Sequence, residues 1–471
     1  MSSTAPVRLE QRPPAPPSPV RRPRRWVAGW LAAAALVLVL FGGLAVGGAA
    51  ETVPEGLSDA GPLVELGAPV VTLIGRIAAV GTIGTLLFAA ALLPGRAGAL
   101  APPSRRAARA ASGWASAWAA ATVLGAALTV SRLVGRPPTA LPWSSVRVFL
   151  ADTGAGHAVL LVVLLTGVLA AVARRCSGVL AAWSLLAGAL AALVVPAVLT
   201  GHSSAADDHL LAVTTLAVHV VAASVWVGGL GALLVHGRRD EGLPGAVDRF
   251  SAVALLCVLA TGISGVVAAS VVLGGPGALV AAAGTGYGWL LLGKTLGLVV
   301  LAVLGWQHRR RTLPQLRAGR PGAFGRFAVV ELLVMLATVA LAVALSASPP
   351  PAAAAPAGGS TSAAPGPAAA APSAPPAAGA DPMAGHDHGE LSVGVLVDGT
   401  RFHVAHPVAA GSRVTVFNGT DQVVSLTADD GSFDVTVPGN TLMTFTAPAQ
   451  PGRYAFTSRH FPAYADVLTV E

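Results

Sequence analysis

The stretch AGHAVLLVVLLTGVLAAVARRCSGVLAAWSLLAGALAALVVPAVL, residues 155–199, decides the fold. It holds two apolar runs, 155–173 and 178–199, parted by the pair Arg174 and Arg175. A helix needs about 20 mainly apolar residues to cross the hydrocarbon core of a bilayer, and each run supplies that length. Arginines between two spans mark a loop retained on the cytoplasmic side during insertion. The segment therefore reads as a transmembrane helical hairpin.

Outward from this hairpin the same signature recurs, and nine stretches qualify as spans: about 26–49, 69–93, 113–133, 155–173, 178–199, 209–235, 250–273, 287–307 and 326–347. Composition agrees. With 54% hydrophobic and 11% charged residues, 55 Gly and a mean hydropathy of +0.69, a soluble cytosolic enzyme is excluded. The two cysteines, Cys176 and Cys257, are too far apart for a ligand motif and imply no disulfide framework.

The net charge of +8 is distributed by topology. Arg8, Arg12, Arg21, Arg22, Arg24 and Arg25 of the N-terminal tail fall on one side. With them fall the loops bearing Arg96 to Arg109, Arg174 and Arg175, Arg238 to Arg249, and Arg309 to Arg326. The opposite loops carry Glu51, Glu55, Asp59 and Glu65, then Arg132, Arg136 and Arg147, then Asp207 and Asp208, then an uncharged Gly/Ala stretch. The N-terminus is thus expected in the cytoplasm of a bacterial cell and the C-terminus outside its plasma membrane. Nucleic acid is not an expected partner; the lipid bilayer is. The first apolar stretch exceeds the usual length of a signal-peptide core, which favours an uncleaved anchor over a cleaved signal.

Four parts follow: a basic tail (1–25), a transmembrane domain (26–347), a Pro/Ala-rich linker (348–390) and an extracytoplasmic β-domain (391–471). The linker composition buries nothing and behaves as an extended tether. From Leu391 the pattern alternates with period two between Asp-Gly, Asn-Gly and Pro-Gly turns, and about seven short strands read as a small β-sandwich. The fold class is an all-α polytopic membrane bundle plus a small all-β sandwich.

Ionisable groups inside spans are expensive and mark a function or a structural partner. Arg76, Lys294, Glu331 and His219 qualify. Two readings of Arg76, Lys294 and Glu331 stand side by side, contacts that hold the bundle together and a polar transport path, and a pairing of Lys294 with Glu331 is left open. His157, His202, His209 and His219 populate the outer half of the bundle together with Asp207 and Asp208, a donor set suited to a borderline divalent ion such as Cu(II), Zn(II) or Ni(II). His236 and His308, in Arg-rich loops, call for no special role. Trp226 shares a helix stripe with His219, two turns away, followed by Gly228 and Gly229, which permit close helix packing. A two-histidine haem site requires a second mid-depth His, and the sequence has none. In the linker, Met383, His386 and His388 form a compact tract of copper-binding character.

The order Gly201-His202, His219 with Trp226 to Gly229, Arg249-Phe250-Ser251 leading to Thr261-Gly262, Tyr287-Gly288-Trp289 leading to Lys294, Arg309 to Arg311, and Glu331 resembles the copper resistance protein D family over about 202–347. That resemblance implies a bacterial inner-membrane protein of copper movement or tolerance. The tail resembles a cupredoxin through Val416-Phe417-Asn418, Val437-Pro438-Gly439 and Pro451-Gly452 with Tyr454 and Phe456. In place of type 1 copper ligands, however, it has Ser425, Ser458 and Tyr464, with His460 the one candidate retained. A blue-copper centre needs a thiolate, so none is expected.

The expected function is copper transport, as uptake, or copper homeostasis and resistance. Copper is the transported or transiently bound ion, and a periplasmic or extracellular copper chaperone is a candidate partner. The alternative is an assembly factor that delivers copper to a respiratory oxidase. No enzymatic activity is expected, since the sequence shows neither a haem pair nor a thiolate copper site.

Overall fold

The computed structural model describes residues 23–48, 60–200, 206–237, 240–273, 280, 282–318, 322–348, 394–404, 407–439 and 441–471. Among these, nine helices are long and apolar enough to cross a membrane. In chain order the helices are α1 (Pro23–Gly47), α2 (Pro62–Leu87), α3 (Pro102–Val134), α4 (Trp143–Asp152), α5 (Gly154–Ala173), α6 (Val179–Thr200), α7 (Ala206–Ala232), α8 (Leu243–Leu273), α9 (Gly286–Gln307), α10 (Leu313–Arg317) and α11 (Gly322–Ser346). All but α4 and α10 are spans.

Several spans outrun the apolar stretches of the sequence. Helix α3 starts at the pair Pro102-Pro103, residues tolerated in a first turn because its N–H groups have no intrahelical partner. It stops at Gly135, whose φ of 62° permits the left-handed cap that reaches the Arg132 and Ser131 carbonyls. Helices α2, α7 and α9 each run on into a π turn, Phe88–Leu92, Leu233–Gly237 and His308–Thr312. All three π turns lie at the Arg-rich end of the bundle.

Helix α2 packs against α3, α6, α7 and α11, while α1 closes against α9 and α11. The α2–α7 crossing is made by glycines. A Cβ on Gly84 would sit 2.1 Å from the Gly228 carbonyl oxygen, and one on Gly228 would sit 2.4 Å from that of Val80. The two backbones touch because neither residue has a side chain, the small-residue contact that substitutes for a hydrophobic drive in lipid.

After α11 the described chain resumes as a β-sandwich of eight strands: β1 (Val395–Val397), β2 (Phe402–Val404), β3 (Arg413–Asn418), β4 (Val424–Ala428), β5 (Asp434–Val437), β6 (Thr441–Thr446), β7 (Gly452–Thr457) and β8 (Ala465–Val470). One sheet has the order β2-β1-β3-β6, with β1 parallel to β3, and the other β5-β4-β7-β8. The strand beyond the seven expected is β2, a short partner of β1 across the Asp398 turn. Phe402, Phe433, Phe445, Phe456 and Tyr464 fill the space between the sheets.

Helix α4 was not anticipated and is the dock for this sandwich. Asp152 at its C-terminus accepts from Arg413 Nη1 at 2.7 Å and from Thr444 Oγ1 at 3.2 Å, and Arg413 Nη2 donates to Thr444 at 3.0 Å. Strand β6 packs on α4 around this triangle. The β-domain therefore sits at the end of the bundle opposite the Arg-rich loops.

Candidate functional site

Two polar stations interrupt the apolar interior. The first lies toward the β-domain end, where α7 meets α8. His219 Nδ1 is 3.1 Å from Ser264 Oγ, and that hydroxyl donates to the Ala260 carbonyl at 2.5 Å. With its hydrogen so engaged, Ser264 is placed to accept from Nδ1–H, and the ring also hydrogen-bonds the Thr261 backbone. Anchoring of a ring nitrogen by an oxygen is the kind of contact that orients a metal-ligating imidazole. Gly265, beside Ser264, also lies against the ring; a Cβ there would make ordinary van der Waals contact with His219 Cε1 at 3.4 Å.

Lys294 of α9 interacts electrostatically with His219 and with Arg76 of α2. Among the described residues no carboxylate lies within ion-pair distance of Lys294. The station thus sets the imidazole beside Lys294, which in turn lies near Arg76. Trp226 is buried two turns along α7, in the main bundle core.

The second station lies toward the Arg-rich end. Glu331 of α11 is the one charged side chain in the buried class among the described residues, and its Oε2 lies 3.2 Å from His308 Nε2. Phe327 stands edge-on to the imidazole at a centroid distance of 5.5 Å. Glu331 does not meet Lys294. From Lys294 to His308 is fourteen residues of nearly continuous helix, about 21 Å at 1.5 Å per residue. His308 is therefore more than a loop histidine: the π turn carries it inward to the only carboxylate in the described core.

The remaining candidate ligands are dispersed. His157 is exposed at the start of α5, its Nε2 donating to the Ala151 carbonyl at 2.9 Å. His209, Asp207 and Asp208 fall in the first turn of α7, on the β-domain side, where only the backbone is described. His202, Met383, His386 and His388 lie outside the described residues. Among the described residues, no group of three or more His, Cys, Asp or Glu is placed to hold a metal.

In the β-domain, Ser425 and Ser458, which stand where the sequence resemblance would place copper ligands, are buried. Ser425 Oγ accepts from the Arg459 N–H at 2.8 Å, and Ser458 Oγ from the N–H groups of His460 and Phe461 at 3.2 and 3.3 Å. Nearby, Asp398 binds His403 Nε2 at 2.6 Å. Burial opposes the Asp398 carboxylate, but hydrogen bonds from the Thr400 hydroxyl, the His403 ring and the Arg401 and Thr400 amides outweigh it and hold its pKa at about 2.

The motif residues that the sequence singled out also tie helices together. The Arg249 guanidinium forks onto the Leu92 carbonyl at 2.9 and 2.6 Å, closing the π turn after α2. Phe250 packs over Gly229, where a Cβ would lie 2.6 Å from its ring. The Ser251 carbonyl accepts from Arg309. Ser264 and His308 carried no linear signal and were found only through their partners.

Residues 244–345 match the protein family described as Copper resistance protein D. The match spans α8 to α11 and so takes in Ser264, Lys294, His308 and Glu331. This part of a multi-pass membrane protein is thus similar to copper resistance protein D. No curated protein matches the chain.

Proposed function

We propose that this copper resistance protein D-like region forms part of a copper uptake route across the bacterial plasma membrane, with the N-terminus cytoplasmic and the β-domain outside. The observation that carries the reading is the His219–Ser264 pair: a half-buried imidazole inside a span, with its Nδ1 against a hydroxyl of the matched region. Copper is the cargo. Met383, His386 and His388 of the linker gather it from solution or from an extracellular or periplasmic chaperone. His157, His202, His209, Asp207 and Asp208 receive it at the outer mouth, and His219 passes it inward.

The ammonium of Lys294 repels a metal cation at His219. That repulsion shortens its stay, and conduction requires a site that is easy to leave as well as to enter. The division into tail (1–25), bundle (26–347), linker (348–390) and β-domain (391–471) suits this order, since the α4 dock holds the β-domain beside the mouth that begins with His157.

The docked β-domain also supports a second reading, in which it delivers copper to a respiratory oxidase. Copper accumulation measured by mass spectrometry in cells expressing wild type or His219→Ala separates the cases. Uptake through His219 lowers accumulation in the variant at equal protein level. Unchanged accumulation removes His219 from the route. Deletion of the whole chain with normal total copper and an inactive oxidase transfers the function to assembly.

A further inference from the structure

Glu331 and His308 have no part in the copper route described so far, yet they place two ionisable side chains together in the interior of the bundle. A carboxylate in hydrocarbon is tolerated only with a partner, and within spans such His and Glu pairs are the material of proton relays. Resting on the copper-transport reading, we propose that the His308–Glu331 pair is a proton-binding site through which copper is exchanged for a proton.

The two groups are close enough to titrate as one unit, although His308 Nε2 is not aligned for a hydrogen bond to the carboxylate. His308 Nε2 and Glu331 Oε2 are 3.2 Å apart, with side-chain exposures of 12% and 7%. With one proton the pair is neutral overall, whichever atom bears it. Without one it carries a net negative charge, and with two a net positive charge. Phe327 stands against the imidazole, while Ala328 and Met335, about one turn to either side of Glu331, are fully buried and help keep water out.

The surrounding charges set which change is easier. The titratable and charged groups on the elements packed around the pair are Arg309, Arg310 and Arg311 of the π turn, Arg317 of α10, Arg326 of α11 and His236 of the turn after α7. Asp248 and Arg249 of α8, Lys294 of α9, Arg76 and Glu65 of α2 and His219 of α7 lie on these elements too. Arg309 is held on the Ser251 carbonyl, Arg310 lies 4.5 Å over the Trp306 ring, and Arg249 is held on the Leu92 carbonyl. Among the described residues Glu331 makes no ion pair other than that with His308. This largely basic fence lowers the cost of the proton-free, negative pair relative to the doubly protonated, positive one.

A copper cation in the bundle does the same. Copper and the proton therefore disfavour each other's binding, and by linkage the effect is reciprocal. A carrier that holds one or the other exchanges them. When the proton leaves, the bond it makes to Glu331 Oε2 or His308 Nε2 breaks and the proton passes to water. When copper has left, the bond forms again with a proton from the opposite side. Copper keeps its oxidation state throughout.

The test uses the full-length protein in liposomes with a pH-sensitive dye in the lumen. Copper is supplied as cupric chloride in one series and as cuprous ion under ascorbate in another. Exchange predicts that copper influx raises lumenal pH. For one-to-one exchange of a monovalent ion, each pH unit by which the lumen is more acidic increases the accumulation ratio about tenfold, the factor that 1.4 kcal/mol represents. Glu331→Gln abolishes the pH change and the gradient dependence. Copper influx in wild type with a flat lumenal pH and no response to the gradient overturns the proposal while leaving copper transport standing. Absence of copper influx in wild type overturns the transport reading itself. Because Glu331→Gln risks misfolding, the wild-type gradient experiment decides independently of it.

Discussion

Replacing Gly84 by Ala places a methyl group 2.1 Å from the Gly228 carbonyl oxygen and 2.5 Å from its Cα. These are backbone atoms of a neighbouring span, with no rotamer through which to escape, so α2 and α7 must part. Overpacking of this kind costs about 1–3 kcal/mol, against roughly 0.5–1 kcal/mol gained by replacing a helical glycine with alanine. A net loss of about 2 kcal/mol corresponds to a fall of roughly 4 °C in Tm at the low end of the conversion for large domains. The controls are Gly113→Ala in α3 and Gly167→Ala in α5, where an added Cβ meets nothing within 4 Å. They should melt at or slightly above the wild-type temperature. The assay is size-exclusion chromatography of detergent-solubilised protein after a heating series. If Gly84→Ala melts together with the controls, the close α2–α7 crossing is wrong, and with it the position of the helix that carries His219.

Asp152→Asn removes the carboxylate charge from the α4 dock and weakens the grip on Arg413 and Thr444. Hydrogen exchange should accelerate several-fold on α4 and β6 while the inner strand β4 keeps its protection; unchanged exchange at both faces refutes the docking. Asp398 has a pKa of about 2 in the folded β-domain against 3.8 for an ordinary carboxyl group, so its stabilisation is fully present above the unfolded value and is lost as pH falls through the folded one. Exchange protection of β1 and β2 should therefore fall between about pH 4 and 2 in wild type, after correction for the intrinsic exchange rate. In Asp398→Asn that protection should already be reduced at neutral pH and change less over the same interval, and a profile like that of wild type refutes the assignment.

The nine spans were legible because lipid demands an unbroken apolar surface, and that demand is written residue by residue. Their ends were less so. In α3, Arg105, Arg106 and Arg109 interrupt the apolar run, yet Ala107, Ala108 and Ala111 between them are buried, so the helix extends well beyond the stretch that hydropathy marks. Helix α4 was missed although Trp143, Val146, Phe149 and Leu150 recur at helical spacing, because one short amphipathic segment among polar residues resembles a loop. His219 was visible as a polar group inside a span. Its partner Ser264 was not, since a serine in an apolar helix usually turns its hydroxyl to its own backbone. His308 was obscured by the three arginines after it, because nothing in a linear pattern says that a helix widens there rather than ends.

That widening has a mechanical consequence. A π turn accommodates one residue more than an α turn would, and it recurs at the same end of α2, α7 and α9. Rewinding the turn at His308–Thr312 to ordinary pitch with all its residues kept would swing everything downstream by about 100°, whereas deleting one residue would restore the pitch and leave the downstream faces nearly in register. The Arg-rich end is thus where this molecule has slack to wind and unwind, and the glycine-clamped crossing of α2 and α7 is the fixed point against which such a twist would act.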